Sequence, residues 1–392
     1  MHGSRQVFHI IGWETERTAK MQPLRVMTVF GTRPEAIKLA PVIQKLSEDD
    51  RFESHIVVTG QHREMLDQVL DIFSIQPDRD LNLMKQDQDL ASLTASIFTH
   101  LDPVLDEMRP DWLLVQGDTT TVMAAALNAY YRQIKVGHVE AGLRTGDKWQ
   151  PFPEEINRRI AGAVADLHFA PTEWARQNLL KEGVPGANIK VTGNTIIDAL
   201  QQITQKPAPV QIRKFLEEKQ IHNSGKKLIV VTAHRRENFG EPIEAVCLAL
   251  KKLAEEYSGE IEIVYPVHLN PNIQQPVNAL LNDVDNISLL PPQEYLSLVH
   301  LLKHAYLILT DSGGIQEEAT GLGIPCLVLR DVTERPEGVD AGILKLVGTE
   351  TQKIVTEARK ILTDPQIHAA MSQAANPYGE GIAAEKIVSL LS

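Results

Sequence analysis

Residues 306–318 read Tyr-Leu-Ile-Leu-Thr-Asp-Ser-Gly-Gly-Ile-Gln-Glu-Glu, an apolar run that ends at Ser-Gly-Gly and continues as a helical pattern. A strand that turns directly into a helix leaves backbone N–H groups at the positive end of the helix, where they can hold a phosphate or diphosphate. Glutamates one turn inside that helix can accept hydrogen bonds from sugar hydroxyls, which favours a nucleotide over inorganic phosphate. The competing interpretation is a glycine-containing turn that binds nothing.

The same alternation of short apolar runs and helical patterns continues from Leu24 towards the C-terminus, and it favours parallel βαβ units over a sandwich or a helical bundle. The predicted strands are residues 24–30, 55–58, 112–116, 134–139, 167–170 and 189–192 in a first series, and 228–232, 261–265, 287–290, 306–309, 325–329 and 344–347 in a second. We therefore predict the α/β class, with two Rossmann-like domains facing each other across a ligand cleft.

The two series also set the predicted domain boundaries. Residues 1–21 do not resemble the rest and lack the small-residue cleavage site of a signal peptide, so we expect a disordered N-terminal extension. The predicted division of the remaining chain is an N-terminal domain over 22–200, a polar interdomain connection over 201–225, a C-terminal nucleotide-binding domain over 226–376, and a C-terminal helix in 377–392 that can pack back on the N-terminal domain.

Composition narrows the function classes. A chain of 392 residues with 43% hydrophobic and 23% charged residues is long enough for two cored domains. The net charge of −12 argues against a nucleic-acid partner, and no apolar stretch approaches the length of a membrane span. Cys247 and Cys326 are not paired at metal or redox spacing, so we expect both to be reduced core residues. An anionic ligand must therefore be met by local positive charge.

Such local charge appears directly after the first predicted strand. Thr32 has the character of a helix N-cap, with Glu35 at the capping-box position and Pro34 in the first turn. Arg33 does not fit this helix start, because a cation at the positive end is disfavoured by about 0.3–1 kcal/mol. An anionic ligand would remove the conflict, and Lys38 supplies a second cation nearby. The alternative is that both are ordinary solvated side chains.

Three carboxylates follow predicted strands and can converge on the same edge. Asp118 precedes a run of threonines and Glu154 opens a helix, so each can also be interpreted as a cap or a first-turn acid. Glu140 comes directly off a buried-looking strand, where a charge needs solvent or a partner, and Arg144 is the nearest candidate in sequence. Acids that face one cleft can have their pKa values driven apart, which suits acid–base chemistry at carbon.

The second series contributes His234 and Arg235 immediately after a predicted strand, and Arg335 in a loop beside the proposed phosphate site. A histidine with neighbouring arginines can meet a diphosphate and share a proton with a leaving group, although a lone histidine there would more often be structural. The sequence contains no HExxH, Walker A or clean GxGxxG pattern. Zinc proteolysis, P-loop hydrolysis and the usual NAD fingerprint therefore lack support.

Seven of these segments occur in a recognisable order: Gly-Thr-Arg-Pro-Glu-Ala (31–36), Gly-Asp-Thr-Thr-Thr (117–121), Gly-His-Val-Glu-Ala-Gly-Leu-Arg (137–144), Pro-Glu-Glu (153–155), His-Arg-Arg-Glu-Asn (234–238), Asp-Ser-Gly-Gly-Ile-Gln-Glu-Glu (311–318) and Thr-Glu-Arg-Pro-Glu (333–337). Together they resemble the bacterial non-hydrolysing UDP-N-acetylglucosamine 2-epimerases. The resemblance implies the GT-B fold, a cytoplasmic homodimer, and reversible conversion of UDP-GlcNAc to UDP-ManNAc for cell-surface polysaccharide synthesis. It also implies no cofactor and no obligatory metal.

The resemblance further implies a mechanism: anti elimination of UDP across C1–C2 gives 2-acetamidoglucal, and UDP is then added back with the proton on the opposite face. It assigns Asp118, Glu140 and Glu154 to acid–base chemistry around C2, without saying which of them takes the proton, and His234 to the departing UDP. The contacts to UDP that it implies are Arg33, Lys38, Ser312, Gly313, Gly314, Glu318 and Arg335.

A second, allosteric UDP-GlcNAc site is common in this family, and the resemblance places Gln61, Arg235 and His268 among its contacts. Two positions depart from the pattern. Glu64 and Asp87 stand where a glutamine and an arginine are expected. Acids at these positions should weaken the binding of a dianionic diphosphate.

Two other functions use the same nucleotide cleft. A GT-B glycosyltransferase would need an acceptor, whereas the three acids resemble the epimerase set more closely. A hydrolysing epimerase would release free ManNAc and UDP.

Glu64 and Asp87 lead us to expect weak or altered activation by substrate. Initial rates should be measured with UDP-ManNAc alone and again with traces of UDP-GlcNAc. We expect little change in rate, because two acids repel the activator's diphosphate. Strong activation at low UDP-GlcNAc would contradict this expectation.

Overall fold

The computed structural model describes residues 22–60, 63–83, 88–221 and 225–392, and for residues 63–65 it describes the backbone alone. The N-terminal extension predicted over residues 1–21 lies outside the described residues, as do Gln61 and Asp87.

Two parallel sheets account for the strands in these ranges. The first contains β1 (Leu24–Phe30), β2 (Phe52–Val58), β3 (Arg79–Asp80), β4 (Trp112–Gln116), β5 (Lys135–Val139), β6 (Leu167–Ala170) and β7 (Ile189–Val191), in the order β3-β2-β1-β4-β5-β6-β7. The second contains β8 (Lys227–Thr232), β9 (Ile261–Pro266), β10 (Ile287–Leu290), β11 (Leu307–Thr310), β12 (Cys326–Val328) and β13 (Leu344–Leu346), in the order β10-β9-β8-β11-β12-β13. The predicted class, α/β with two Rossmann-like sheets, is confirmed.

The helices alternate with these strands. They are α1 (Arg33–Ser47), α2 (Arg63–Phe73), α3 (Leu90–Met108), α4 (Thr120–Tyr131), α5 (Glu154–Val164), α6 (Glu173–Lys181), α7 (Thr195–Gln205), α8 (Val210–Glu218), α9 (Glu241–Glu256), α10 (Pro271–Leu281), α11 (Tyr295–Lys303), α12 (Gly313–Leu322), α13 (Pro336–Asp340), α14 (Thr351–Thr363), α15 (Pro365–Ser372) and α16 (Ala383–Ser389). Over the described ranges, none of them is long and apolar enough to cross a membrane.

The core explains why β1 is apolar on both faces. Val26 and Phe30 point to a buried cluster that includes residues of α1, α7 and α16, whereas Met27 and Val29 point to a second cluster built with α3 and α4. Side chains alternate between the faces of a strand, so a strand covered by helices on both sides reads as a continuous apolar run. This arrangement aligns the carboxyl ends of β1, β4 and β5 at one edge.

Strand β3 was missed by sequence reasoning, and its two residues explain why. Arg79 and Asp80 are charged and exposed, so they carry no apolar signal. They join the sheet through backbone pairing, with Arg79 opposite Val57 and Asp80 opposite Val58. The short charged strand ends the sheet at an edge that does not invite further pairing.

The stretch 201–225, predicted as a polar connection, contains the end of α7 and the whole of α8. Ile212 and Leu216 of α8 are buried with Leu228 and Val230 of β8. Their spacing of four residues places them on one face of a short helix that is otherwise polar. Part of this stretch therefore belongs to the core of the second sheet.

The last helix is fixed to the first sheet by a buried acid. Asp198 of α7 accepts hydrogen bonds from the backbone N–H groups of Ala383 at 3.2 Å and Ala384 at 2.9 Å. A carboxylate at the N-terminus of a helix satisfies free donors and complements the helix dipole. Ile387 and Val388 of α16 are buried in the cluster that includes β1 and α1.

Two histidines lie side by side in the middle of the first sheet. His138 of β5 pairs with His168 of β6 in the strand register, and both are buried. Burial lowers the pKa of each imidazole to about 4. His138 Nε2 donates to the carbonyl oxygen of Gly117 at 2.7 Å, so the neutral ring also supports the turn that follows β4.

These two rings should make the fold sensitive to acid. The unfolded chain takes up protons on both histidines below pH ~6.5, whereas the native protein does so only near pH 4, so their contribution is complete above pH ~6.5 and is lost between about 6.5 and 4. Replacing His168 by Phe should reduce the slope of unfolding free energy against pH by about 1.4 kcal/mol per unit in that window. Urea unfolding at several pH values measures both slopes, and equal slopes would contradict the assignment.

Candidate active site

The two sheets meet through a buried lysine. Lys38 of α1 forms an ion pair with Glu140, which follows β5, and its Nζ lies 2.8 Å from Oε2 of Glu317 in α12. All three side chains are less than a tenth exposed. Burial alone would lower the pKa of Lys38, but the two carboxylates raise it, so the lysine stays charged. One cation thus bridges acids from the two sheets.

The chain of alternating charges continues into the second sheet's loops. Glu317 Oε1 accepts from Arg335 Nε at 2.8 Å, and Glu334 Oε2 accepts from Arg330 Nη1 at 2.9 Å. Burial would raise the pKa of Glu334, yet the surrounding arginines lower it to about 2. The predicted UDP contacts Lys38 and Arg335 are therefore already paired with acids, and a ligand anion would be held by a network rather than by free cations.

Glu140 does not pair with the residue that sequence spacing suggested. The prediction of Arg144 as its partner was wrong: Arg144 Nε and Nη2 each donate to the Glu182 carboxylate at 2.8 Å. The backbone explains the difference, since Glu140 has φ 63° and Gly142 has φ 93°, so the chain turns sharply after β5. Burial raises the pKa of Glu140, against the opposing effect of Lys38.

Asp118 is not a helix cap, although its position before the threonines allowed that interpretation. The cap of α4 is Thr119, whose hydroxyl accepts from the N–H of Val122 at 3.3 Å. The Asp118 carboxylate instead accepts from Arg158 of α5, whose Nη2 and Nε lie 2.5 Å and 2.9 Å from Oδ2. Sequence reasoning did not identify Arg158, because nothing in the local spacing links residues forty positions apart.

Glu154 is the first residue of α5, as predicted, and its carboxyl group is poorly satisfied. Its Oε2 is buried and receives no hydrogen bond from any described residue. Burial raises the pKa of Glu154 and nearby Asp118 adds to the effect, while Arg158 and Arg235 oppose it. The site therefore holds one carboxylate paired with a cation and a second one that is largely desolvated.

His234 follows β8, where the second sheet faces these acids. Its ring stacks on that of His268, with centroids 5.3 Å apart and planes within 8°. Burial lowers the pKa of His234, and although Asp311 opposes this, His268 and Arg235 reinforce it. The ring is therefore neutral near pH 7, and it can accept a proton at one nitrogen and donate a hydrogen bond from the other.

Asp311 organises this loop and was not predicted as a site residue. Its buried Oδ2 accepts from the backbone N–H groups of His234 and Arg235, each at 2.8 Å, and from Asn238 Nδ2 at 2.9 Å. Its Oδ1 lies 3.8 Å from His234 Nδ1. The available signal was an acid placed directly after an apolar strand, where an unpaired charge would be unfavourable.

The predicted phosphate loop has the expected strand–loop–helix geometry. Ser312 is the N-cap residue of α12, and its side chain makes no capping hydrogen bond. A Cβ atom on Gly313 would lie 2.5 Å from Arg335 Nη1, so only glycine lets the guanidinium pack directly on the start of the helix. Gly314 is less crowded, since a Cβ there would meet nothing closer than Ser312 Oγ at 4.0 Å.

Arg33 and Glu318 lie together at the other end of this cleft. The Arg33 guanidinium lies 5.9 Å from the ring centroid of Tyr295, a residue that sequence reasoning did not identify. Burial raises the pKa of Glu318 to about 7, while Arg33 opposes the rise. The nearby Tyr295 hydroxyl also lowers the pKa of Glu318, and Glu318 Oε2 is buried without a well-formed hydrogen bond to any described residue. The capping box between Thr32 and Glu35 is present, as predicted.

Only part of the proposed allosteric site can be located. Gln61 and Asp87 lie outside the described residues, and the Glu64 side chain is likewise not described. Arg235 Nη1 lies 3.9 Å from Glu334 Oε1, and His268 stacks on His234.

A cavity of about 900 Å³ opens beside these groups. Glu154 lies in its wall together with Arg235, so it adjoins both the carboxylates and the loop after β8. Trp149 and Phe152, two exposed and mutually stacked aromatic residues, line it from the first sheet's side. Aromatic and charged walls of this kind suit a ligand with both apolar and ionic parts.

Comparison with known proteins gives a consistent result. A family model described as UDP-N-acetylglucosamine 2-epimerase matches residues 44–392. The UDP-N-acetylglucosamine 2-epimerase of Yersinia pestis is 54% identical over 370 residues, covering 94% of this chain and 98% of the relative. The protein of that name from Escherichia coli K12 matches with the same identity and coverage. The crystal structure of Neisseria meningitidis UDP-GlcNAc 2-epimerase bound to UDP-GlcNAc is 49% identical, with a TM-score of 0.88 over 94% of this chain and 99% of that one.

The bridge made by Lys38 should be important for stability. Lys38→Met leaves Glu140 and Glu317 as buried acids without their shared cation, and should lower the free energy of unfolding by about 3–5 kcal/mol. Lys45→Met on the same helix removes only an exposed pair with Glu48, and should lower it by less than about 1 kcal/mol. Urea unfolding of the two variants and the wild type measures these free energies. Equal losses of unfolding free energy in the two variants would contradict the role of the bridge.

Proposed function

The chain belongs to the UDP-N-acetylglucosamine 2-epimerase family, and on this premise we propose that it interconverts UDP-GlcNAc and UDP-ManNAc without hydrolysing either. The observation that carries the proposal is that acids after the first sheet's strands adjoin the second sheet: Glu140 shares the Lys38 cation with Glu317 of α12, and Glu154, which lies near Asp118, lines one cavity with Arg235. Such a cleft can hold a sugar nucleotide with its diphosphate towards one sheet and its sugar towards the other.

The UDP portion is proposed to bind along α12. The Ser312 hydroxyl and the backbone N–H groups of Gly313 and Gly314 would receive the diphosphate, because they lie at the positive end of the helix, whereas the N–H of Ser312 donates to Thr310 Oγ1 at 3.0 Å. Arg335, packed on Gly313, would add a fixed positive charge. Glu318, whose Oε2 receives no well-formed hydrogen bond from the described residues, would accept from the ribose hydroxyls.

The chemistry at the sugar follows from the carboxylates. One of them takes the proton from C2, the electrons of the C2–H bond form the C1=C2 double bond, and the C1–O bond breaks to release UDP. The return step adds UDP to C1 while a carboxyl group delivers a proton to the opposite face of C2. Asp118 is paired with Arg158, whereas Glu154 is partly buried without such a pair. The two acids therefore differ in environment, as is expected of a proton acceptor and a proton donor that act at one carbon.

His234 is proposed to meet the leaving diphosphate. A neutral imidazole can donate an N–H hydrogen bond to the departing oxygen, and Arg235 beside it adds positive charge. Arg33 and Lys38 would neutralise the ligand from the first sheet's side, as the family resemblance implies.

Retention of the intermediate requires a closed cleft. The contact of Lys38 with Glu317 joins the two sheets, and the hydroxyl of Thr172 donates to Glu337 across the same boundary. Exclusion of water by such contacts would prevent loss of the glucal and of UDP between the two steps.

The proposal also includes the organisation of the protein. We propose domains over residues 22–200 and 226–376, a homodimer, a cytoplasmic location, and delivery of ManNAc to a cell-surface polysaccharide. A homodimer is tested by sedimentation at several protein concentrations.

A single NMR time course in D₂O tests the reaction. UDP-GlcNAc without any acceptor should give UDP-ManNAc, with deuterium at C2 and UDP still attached. Glu140→Gln should lose about 10²–10⁴-fold in rate, as expected for an acid–base group. Glu173→Gln is the control, because among the described residues the Glu173 carboxylate accepts from two surface groups of its own helix, Arg176 and Gln177.

The other outcomes identify the alternatives. Free ManNAc with UDP would indicate a hydrolysing enzyme, and turnover only after an acceptor is added would indicate a glycosyltransferase. Binding without any turnover would indicate a sensor, and any of these results would overturn the proposal.

A further inference from the structure

We infer that Arg158 is a positioning residue for the reaction: it holds Asp118 as a correctly oriented carboxylate at the sugar, and Glu155 holds Arg158 in place. The inference rests on the proposed function, because the role of Asp118 at C2 is part of that proposal. Arg158 itself belongs to none of the segments that resemble the family, which end at residue 155 in this part of the chain.

The contact between Arg158 and Asp118 is directional. Both guanidinium donors, Nη2 at 2.5 Å and Nε at 2.9 Å, converge on the single oxygen Oδ2. The Asp118 backbone carbonyl oxygen accepts from Asn157 Nδ2 at 2.9 Å, so α5 holds both ends of this residue. Charge-assisted hydrogen bonds of this length hold Oδ2 in place. Both donors lie at Oδ2, so Arg158 leaves Oδ1 to other partners.

A second buried acid fixes the arginine. Glu155 is fully buried, and its Oε2 accepts from Arg158 Nη1 at 3.1 Å and from the N–H of Thr145 at 3.1 Å. Its Oε1 accepts from the N–H of Gly146 and from Arg159 Nη2, each at 3.3 Å. Arg158 is therefore clamped between two carboxylates and is itself only 8% exposed.

Helical spacing explains how one helix does this. Glu154 and Arg158 are four residues apart and lie on the same face of α5, while Glu155 is three residues from Arg158. The helix therefore presents Glu154 to the cleft and, one turn later, Arg158, which pairs with Asp118. The Arg158 guanidinium is paired with Asp118, whereas Glu154 Oε2 receives no hydrogen bond from the described residues, so the two neighbouring acids differ in their surroundings.

The other charged groups around Asp118 do not replace this cation. Glu154 of α5 is an acid of the same sign, and His138 of β5 is kept neutral by burial, which lowers its pKa to about 4. Arg335, from the second sheet's side, acts on Arg158 through space but is hydrogen-bonded to Glu317. Among the described residues, Arg158 is the cation in contact with the Asp118 carboxylate.

The test compares Arg158→Gln and Arg158→Lys with Arg159→Gln as the matched control. Arg159 is the next residue on the helix and also contacts Glu155, but it is 44% exposed and does not contact Asp118. We expect Arg158→Gln to lose roughly 100-fold in kcat/KM, at the lower end of the contribution of a positioned acid–base group. Arg158→Lys should restore part of the rate, because it returns a cation to the Asp118 carboxylate. Arg159→Gln should stay within about twofold of the wild type.

Two further measurements separate this role from a structural one. The affinity for UDP should be unchanged in all three variants, since the proposed diphosphate loop lies on the other sheet. In an Asp118→Asn background, Arg158→Lys should have no further effect on the rate, because the positioned group is already absent. The comparison of Arg158→Lys with and without Asp118→Asn also tests the positioning role if Arg158→Gln does not fold.

Three results would overturn the inference: an unchanged kcat/KM in Arg158→Gln, equal losses in the Arg158→Gln and Arg159→Gln variants, or additive effects of Asp118→Asn and Arg158→Lys. A wild-type protein that incorporates no deuterium at C2 would instead refute the proposed function, so the two failures are distinguishable.

Discussion

One buried ammonium group controls the charge balance of the cleft. Lys38 compensates Glu140 from the first sheet and Glu317 from the second, and Glu317 in turn orients Arg335. If the sheets moved apart, at least one buried acid would lose its partner, which is unfavourable in a region with little water. One electrostatic arrangement therefore holds the two sheets together and positions the buried acids. It also orients Arg335 at the start of α12.

How much could be predicted depends on the distance in sequence between the interacting groups. The strand–loop–helix at Ser312 and the capping box at Thr32 were predicted correctly, since their determinants lie within a few residues. The partner of Glu140 was predicted wrongly and Arg158 was not identified, because ion pairs between distant segments are chosen by packing. Asp311 was missed for the same reason, as its donors come from a loop more than seventy residues earlier.

Helix α5 shows how few elements are needed to make similar acids behave differently. Less than two turns of this helix contain Glu154, Glu155 and Arg158. The Glu154 carboxyl group lies in the cavity wall, and the Glu155 carboxylate is fully buried and supports Arg158. The arginine in turn pairs with Asp118, in the loop after β4. Burial and pairing, rather than residue type, determine what each carboxylate can do. This is the kind of asymmetry that reversible proton transfer at a single carbon requires.

Asp311 has a mechanical consequence. It immediately precedes Ser312, the N-cap residue of α12, and accepts hydrogen bonds from the backbone N–H groups of His234 and Arg235, so the start of α12 and this backbone segment are held at a fixed distance. If UDP binds as proposed, this fixed distance determines the length of the leaving group that can contact both loops. A nucleotide with one phosphate fewer would be too short to contact both loops. Selection by leaving-group length would then come from the rigidity of two backbone loops, independently of any side chain that recognises the base or the sugar.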